Sequence, residues 1–307
     1  MVSKPSTSDP NGPVLPKGVT GLSSRRPLVR NPEIIKVSAS ALRSFEECPY
    51  RYALDHVSRL PDAERSPVPI FAFGNAVHQT LAKFVQSGGR STIDRDGITA
   101  TLMDCWDSSA YPDPETELAY FHRAKEMVER FHESPYPQTA VEDLGIEQNL
   151  AWIIPHRNML ATGRVDRLIR HPDGTTEILD YKTSRTPLSE GDLLKDAQTI
   201  LYRSLVADRY PELASGSIRV TFYYLPVGKS VSVTFDRDSF LEAWQRIEKL
   251  VGRIREGRER ARRGWAIKEA FHANRGNHCR SCPMRGHCDG LPEHQAVDVQ
   301  VAVESYS

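Results

Sequence analysis

Two strand-like segments joined by a tight turn place the narrowest limit on how this 307-residue chain folds. The segments, 160–170 and 175–183, are rich in β-branched and apolar residues. Between them stands His171-Pro172-Asp173-Gly174, with proline and glycine where a turn needs them. Residues two apart in a strand share a face, so Asp180 and Lys182 point the same way. Pairing Arg170 with Thr175 sets Asp166 opposite Leu179, one residue short of Asp180. A bulge or a five-residue loop removes that offset. Two carboxylates and a lysine therefore converge at one end of a hairpin.

Helical spacing marks the flanks. Segments 41–47, 50–57, 74–85, 98–106 and 115–131 read as helices, the first capped by Ser40 and stopped at Cys48-Pro49. A strand at 145–154 precedes the hairpin, and a helix at 190–208 follows it. Strands at 218–225 and 230–235 come next, then a long helix at 237–263. Helices, strands, a helix and strands again predict one α/β (α+β) core with a mixed central sheet and a helical insertion. The first 33 residues, with six prolines among Ser, Gly and Lys, are expected to form a disordered tail, and the segment from 290 a second loose end.

Carboxylates and a lysine on one hairpin suit phosphodiester hydrolysis. Hard oxygen ligands hold Mg²⁺ or Mn²⁺, and the cation polarises a phosphate and acidifies water. A lysine alongside orients or deprotonates that water, or stabilises charge on phosphorus. The plain alternative is a surface salt bridge. His78, behind Phe73-Gly74-Asn75-Ala76-Val77, is a further candidate ligand, or else a structural helix histidine. Gln198 and Tyr202, four apart on one helical face, could position a nucleic-acid strand, or else form a polar helix edge. Nine basic residues between Arg246 and Lys268 suit either a phosphate backbone or a solvated helix face.

Five cysteines in a chain whose polar first residues do not read as a secretory leader argue for a metal site over disulfides. Cys279, Cys282 and Cys288 can reach one metal centre from a single loop, and thiolates favour zinc or an iron–sulfur cluster. His272, His278 and His287 lie close enough to complete a zinc site. Cys105 is left over and reads as a small buried apolar residue.

Taken in order, six motifs resemble a known family. They are Ser38-Ala39-Ser40-Ala41-Leu42 with Cys48-Pro49-Tyr50-Arg51-Tyr52; Gly74-Asn75-Ala76-Val77-His78; Gly163-Arg164-Val165-Asp166-Arg167; Asp180-Tyr181-Lys182-Thr183; Gln198 with Tyr202; and the three late cysteines. Over residues 37–289 the chain resembles the RecB/AddB-type iron–sulfur nucleases of the PD-(D/E)XK superfamily. That resemblance implies a restriction-endonuclease-like core. It makes His78, Asp166 and Asp180, with the Tyr181 backbone carbonyl, ligands of the catalytic Mg²⁺ or Mn²⁺, with Glu147 a further candidate. It makes Lys182 the catalytic lysine, and it makes Cys48 the fourth ligand of a 4Fe–4S cluster, with Zn²⁺ the alternative. Val165 stands where the superfamily's name has proline.

The expected domain is therefore 34–289, a nuclease clasped by Cys48 and 279–288, between tails 1–33 and 290–307. Equal numbers of basic and acidic residues, 40 each, exclude a histone-like binder but not a local basic groove. The expected activity is metal-dependent exonuclease cleavage of single-stranded DNA or DNA ends in repair or recombination. The alternatives are a non-catalytic DNA-binding or scaffold subunit of a helicase–nuclease complex, and a structural zinc protein. No nucleotide-binding loop is present, so a helicase or a recombination or CRISPR partner would be a separate chain. No apolar run suits a membrane, and a polar N-terminus suggests a cytoplasmic protein.

Overall fold

Six strands form one mixed sheet in the computed structural model, which describes residues 34–61, 68–136, 141–214 and 216–288. The expected tails at 1–33 and 290–307 lie outside the described residues. The strands are β1 (Ile35–Val37), β2 (Glu142–Ile154), β3 (Met159–Arg170), β4 (Thr176–Lys182), β5 (Ile218–Tyr224) and β6 (Lys229–Thr234). β3 is antiparallel to β2 and β4, β5 to β6, while the β1–β3 and β4–β5 pairs are parallel. β1 is too short for any period to show in sequence; its edges are set by pairing Ile35–Val37 with Met159–Ala161.

Helices cover both faces. α1 (Ala39–Glu47) and α2 (Pro49–His56) meet at Cys48, an extended residue that ends one helix while Pro49 starts the next. Ser38 caps α1, accepting from the Ala41 N–H, in place of the expected Ser40. α3 (Pro69–Gln86), α4 (Arg95–Asp104) and α5 (Pro114–Glu133) form the insertion. The expected helix at 190–208 is split into α6 (Glu190–Leu193) and α7 (Ala197–Arg209). Asp196 forces the break by accepting from the Gln198 and Thr199 N–H groups, which starts a new helix. α8 (Pro211–Ala214), α9 (Arg237–Arg262) and α10 (Ile267–Ala270) complete the described helices.

Strand alternation sorts the core into two clusters. Ile178, Val220, Phe222 and Tyr224 join α1, α2, α7 and α9 on one face. Leu179, Tyr181, Tyr223 and Leu225 join α3, α4 and α5 on the other. Trp244, Ile247, Val251 and Ile254 give α9 its buried stripe. At Gly257 an added Cβ would sit 2.5 Å from the Phe271 ring, so the chain after α10 lies directly on that helix. Phe271 in turn packs edge-on to Phe45 at 6.4 Å and near Tyr52 at 6.1 Å, joining the late chain to α1 and α2.

One edge of β3 serves two neighbours. β1 pairs with Met159–Ala161 and β4 with Arg167–Arg170, so the stretch 162–166 carries neither strand. α7 enters there. Gly163 permits it, since an added Cβ would lie 2.9 Å from both Leu205 and Tyr202 side chains. The Tyr202 hydroxyl then donates to the Arg164 carbonyl at 2.5 Å, replacing a missing ladder bond.

Candidate active site

The turn sets the site's register. Arg170 pairs with Thr176 rather than Thr175, because the His171 N–H donates to the Thr175 carbonyl and Gly174 takes a left-handed conformation, φ +85°. The extra turn residue supplies the shift that the sequence leaves open. One step beyond Arg167–Leu179, Asp166 falls beside Asp180. On the other edge, the pairs Ile146–Arg167 and Gln148–Val165 bracket Glu147 opposite Asp166. Glu147 itself is left-handed, φ +51°, a conformation that costs a non-glycine residue roughly 1 kcal/mol or more.

Three side chains meet at that point. His78 Nδ1 lies 3.2 Å from Asp166 Oδ1, and one ligand atom from each of His78, Glu147 and Asp166 falls within 4.8 Å of the other two. α3 buries Phe73, Val77 and Leu81 in its own core, which leaves His78 at the boundary facing the hairpin. The Tyr181 N–H donates to Asp166 Oδ2 at 2.7 Å and fixes that carboxylate. Arg164 pairs with Glu147 at 2.8 Å, a contact with no signal in the sequence beyond its place two residues before Asp166. Two carboxylates and an imidazole form a donor set that suits a hard or borderline divalent cation.

Asp180 stands outside that trio and is tied to the lysine. Lys182 Nζ is 2.6 Å from Asp180 Oδ2 and donates to Gln198 Oε1 at 2.6 Å. Gln198 Nε2 donates to Asp180 Oδ1 at 2.6 Å and reaches the Tyr202 oxygen at 2.9 Å. The amide of Gln198 thus holds Asp180, Lys182 and Tyr202 in one network. Lys182 also sits 4.0 Å above the Phe222 ring.

The charges perturb one another. Burial disfavours the charged His78 ring, but Asp166, aided by Asp180 and Glu147, overrides it and holds the ring protonated up to about 9. Burial would raise Asp166, yet the His78 charge, the Tyr181 N–H and Lys182 keep it below the ordinary range. Asp180 is pushed up to about 6 by burial, with Lys182 opposing and Asp166 adding. Glu147 is raised, first by burial and then by Asp166. Carboxylates crowded and desolvated in this way bind a cation in place of protons.

Cys48 and the late cysteines lie in a second region, away from the hairpin. Cys48, at the α1–α2 break, is buried and accepts from the Asn274 N–H at 3.4 Å. The Tyr50 hydroxyl donates to the His287 carbonyl at 3.2 Å. Burial raises the Cys282 thiol; Arg51 opposes this, and the neighbouring Cys48 and Cys279 add to it. Cys48 thus lies beside the late cysteine loop. Cys105 ends α4, partly buried against the insertion's core.

Much of the basic run on α9 is used inside the fold. Arg246 pairs with Glu46, Arg258 donates to the Tyr52 hydroxyl, Arg255 to the Arg157 carbonyl, and Arg263 pairs with Glu259. Arg253 lies over Phe45 and Arg260 over Trp265.

A scan of protein families matches residues 36–289 to the PD-(D/E)XK nuclease superfamily. The chain belongs to that superfamily, and its mixed sheet between helices is the restriction-endonuclease-like fold. Among solved structures, a candidate exonuclease from Eubacterium rectale is similar at 14% identity and a TM-score of 0.47, over 92% of this chain and 99% of that one. No curated protein matches the sequence. No helix among the described residues is long and apolar enough to cross a membrane.

Proposed function

We propose that this chain is a Mg²⁺- or Mn²⁺-dependent deoxyribonuclease of the RecB/AddB-like branch, an exonuclease on single strands or DNA ends that serves repair or recombination. One observation carries the reading: His78, Glu147 and Asp166 share a ligand-sized space beside the paired Asp180 and Lys182. In this reading His78, Glu147 and Asp166 would hold the cation, with Asp180 and the Tyr181 carbonyl as further candidate ligands. When bound, the cation supplies Lewis acidity toward a phosphate oxygen and a water.

Lys182 does the remaining proton and charge work. Asp180 and Gln198 fix its ammonium, so it meets the attacking water or the charge growing on phosphorus without searching rotamers. Gln198 and Tyr202 act by holding this pair to β3, which positions the substrate's phosphate indirectly. Cys48, Cys279, Cys282 and Cys288 hold a 4Fe–4S cluster that clasps the nuclease domain, 34–289, at its two ends.

The test is cleavage of end-labelled single- and double-stranded DNA with Mg²⁺, Mn²⁺ or EDTA. Cleavage should need the cation. Lys182→Ala and Asp180→Ala should each lower kcat at least ~100-fold with the melting temperature little changed. Near-normal turnover in either folded variant, or full activity in EDTA, excludes this mechanism.

A further inference from the structure

Three arginines, one of them a few residues along the chain from the candidate site, meet with little to balance them. Arg123 and Arg130 of α5 and Arg185, beyond β4, line one small pocket with Glu126, Met127 and Pro226. Glu126 is the lone acid in that lining. Among the described residues no hydrogen bond or ion pair reaches any of the three guanidinium groups, and Arg123 Nη1 is buried without a partner. Arg123 is seated on aromatic rings, 5.6 Å from the centre of Phe73 and 5.8 Å from that of Tyr120. Arg130 lies along Gly228 in the β5–β6 turn. Burial and the neighbouring Arg185 charge both pull the Arg123 guanidinium below its ordinary value. Like charges gathered around an unfilled donor are unfavourable unless an anion joins them.

Two neighbours tie the pocket to the candidate site along the chain. Phe73, beneath Arg123, precedes His78 by five residues on α3, roughly 7.5 Å along the helix. Arg185 follows Lys182 by three residues, within about 10 Å of chain.

We propose that Arg123, Arg130 and Arg185 bind a phosphodiester phosphate of the nucleic-acid strand next to the scissile one. Guanidinium groups present paired N–H donors that match phosphate oxygens. A phosphate there completes the buried Arg123 donor and offsets the surrounding charge. The inference rests on the nuclease reading, which it extends to how the strand is held.

Binding of a fluorescein-labelled single-stranded oligodeoxynucleotide in EDTA, across a series of KCl concentrations, tests it apart from cleavage. Arg130 and Arg185 are exposed, so the double variant Arg130→Gln/Arg185→Gln keeps the fold. It should bind roughly tenfold more weakly and flatten the slope of log affinity against log salt by about 1. Arg123→Lys, which keeps charge and ring contact but loses the fork, should weaken binding with less change in slope. Under Mg²⁺ the double variant should raise KM more than it lowers kcat. Arg157→Gln, whose partner is Glu248, serves as the control and should do none of this. Oligonucleotides with and without a 5′ phosphate distinguish the two sources. Equal loss on both supports the internal phosphodiester, while loss confined to phosphorylated ends assigns the pocket to a terminal phosphate and overturns the internal assignment. If the double variant matches wild type in affinity and slope while wild type binds and cleaves, the pocket is wrong and the nuclease reading stands. If wild type neither binds nor cleaves DNA, both fall.

Discussion

His78 and Asp166 show how a site can be written by single residues and still be hard to read. His78 ends one recognisable motif and Asp166 lies in another; neither alone distinguishes a ligand from a satisfied core residue. Their 3.2 Å contact sets the two motifs side by side. Glu147 rests on resemblance alone in the sequence, yet it stands opposite Asp166 and takes a left-handed backbone to do so. No propensity announces a glutamate at φ +51°. Ser38 rather than Ser40 caps α1, a choice between two identical side chains that only the geometry of the preceding strand decides. The pH behaviour of the site follows from the contact between His78 and Asp166. Between His78's ordinary 6.5 and its value of about 9, the folded protein keeps a proton that the unfolded chain has released. Stability carried by that proton is present below 6.5 and is lost as pH rises through about 9. In EDTA the melting temperature should therefore fall across this window, and the fall should flatten in His78→Gln. With Mn²⁺ the trend should reverse, since the cation takes the proton's place. An identical slope in His78→Gln would remove His78 from the account.

At the level of elements, long periodic segments are legible in the sequence and short or interrupted ones are not. α9 announces itself through a buried stripe, and β2 to β6 through alternation and turn residues. β1 has three residues and gains its identity only from β3. The hairpin is legible too, but its register comes out one residue short. A proline and a glycine mark a turn, but they do not say whether Thr175 joins the ladder or closes the loop. The split of α6 from α7 depends on Asp196 turning its side chain to the next two free N–H groups. The Gly257–Phe271 contact has no sequence signal, because it joins a helix to an aperiodic segment. It invites a double-mutant cycle. Gly257→Ala forces a methyl group against the ring and should cost about 1–3 kcal/mol. Phe271→Ala should cost about 3–5 kcal/mol. Combined, they should cost less than the sum, because the ring that the new methyl group would strike is gone. Additive losses in chemical denaturation would mean that the two residues do not press on each other.

For the molecule as a whole, hydrogen bonds at Cys48 and Tyr50 join the first helices to the last described loop, where the proposed cluster would be held. Variants Cys48→Ser, Cys279→Ser, Cys282→Ser and Cys288→Ser, purified without oxygen, should each lose iron and sulfide and melt earlier. Cys105→Ser should keep both. Full iron content in Cys48→Ser would move the fourth ligand elsewhere, with His278 or His287 next in line. The joint of Phe45, Tyr52 and Phe271 has a further consequence, which belongs to the order in which the chain is made. The α1–α2 pair leaves the ribosome early, yet the ring it packs on and the loop beside Cys48 come roughly two hundred residues later. At common rates of translation that interval is on the order of 10–50 s. Strands β2–β4 and α7, made in between, cover part of the α1–α2 pair. Phe45 and Tyr52 meet the Phe271 ring, and Cys48 its neighbouring loop, only once that late segment has been made, so any group that needs both Cys48 and the late loop can be fitted only after residue 288 has emerged.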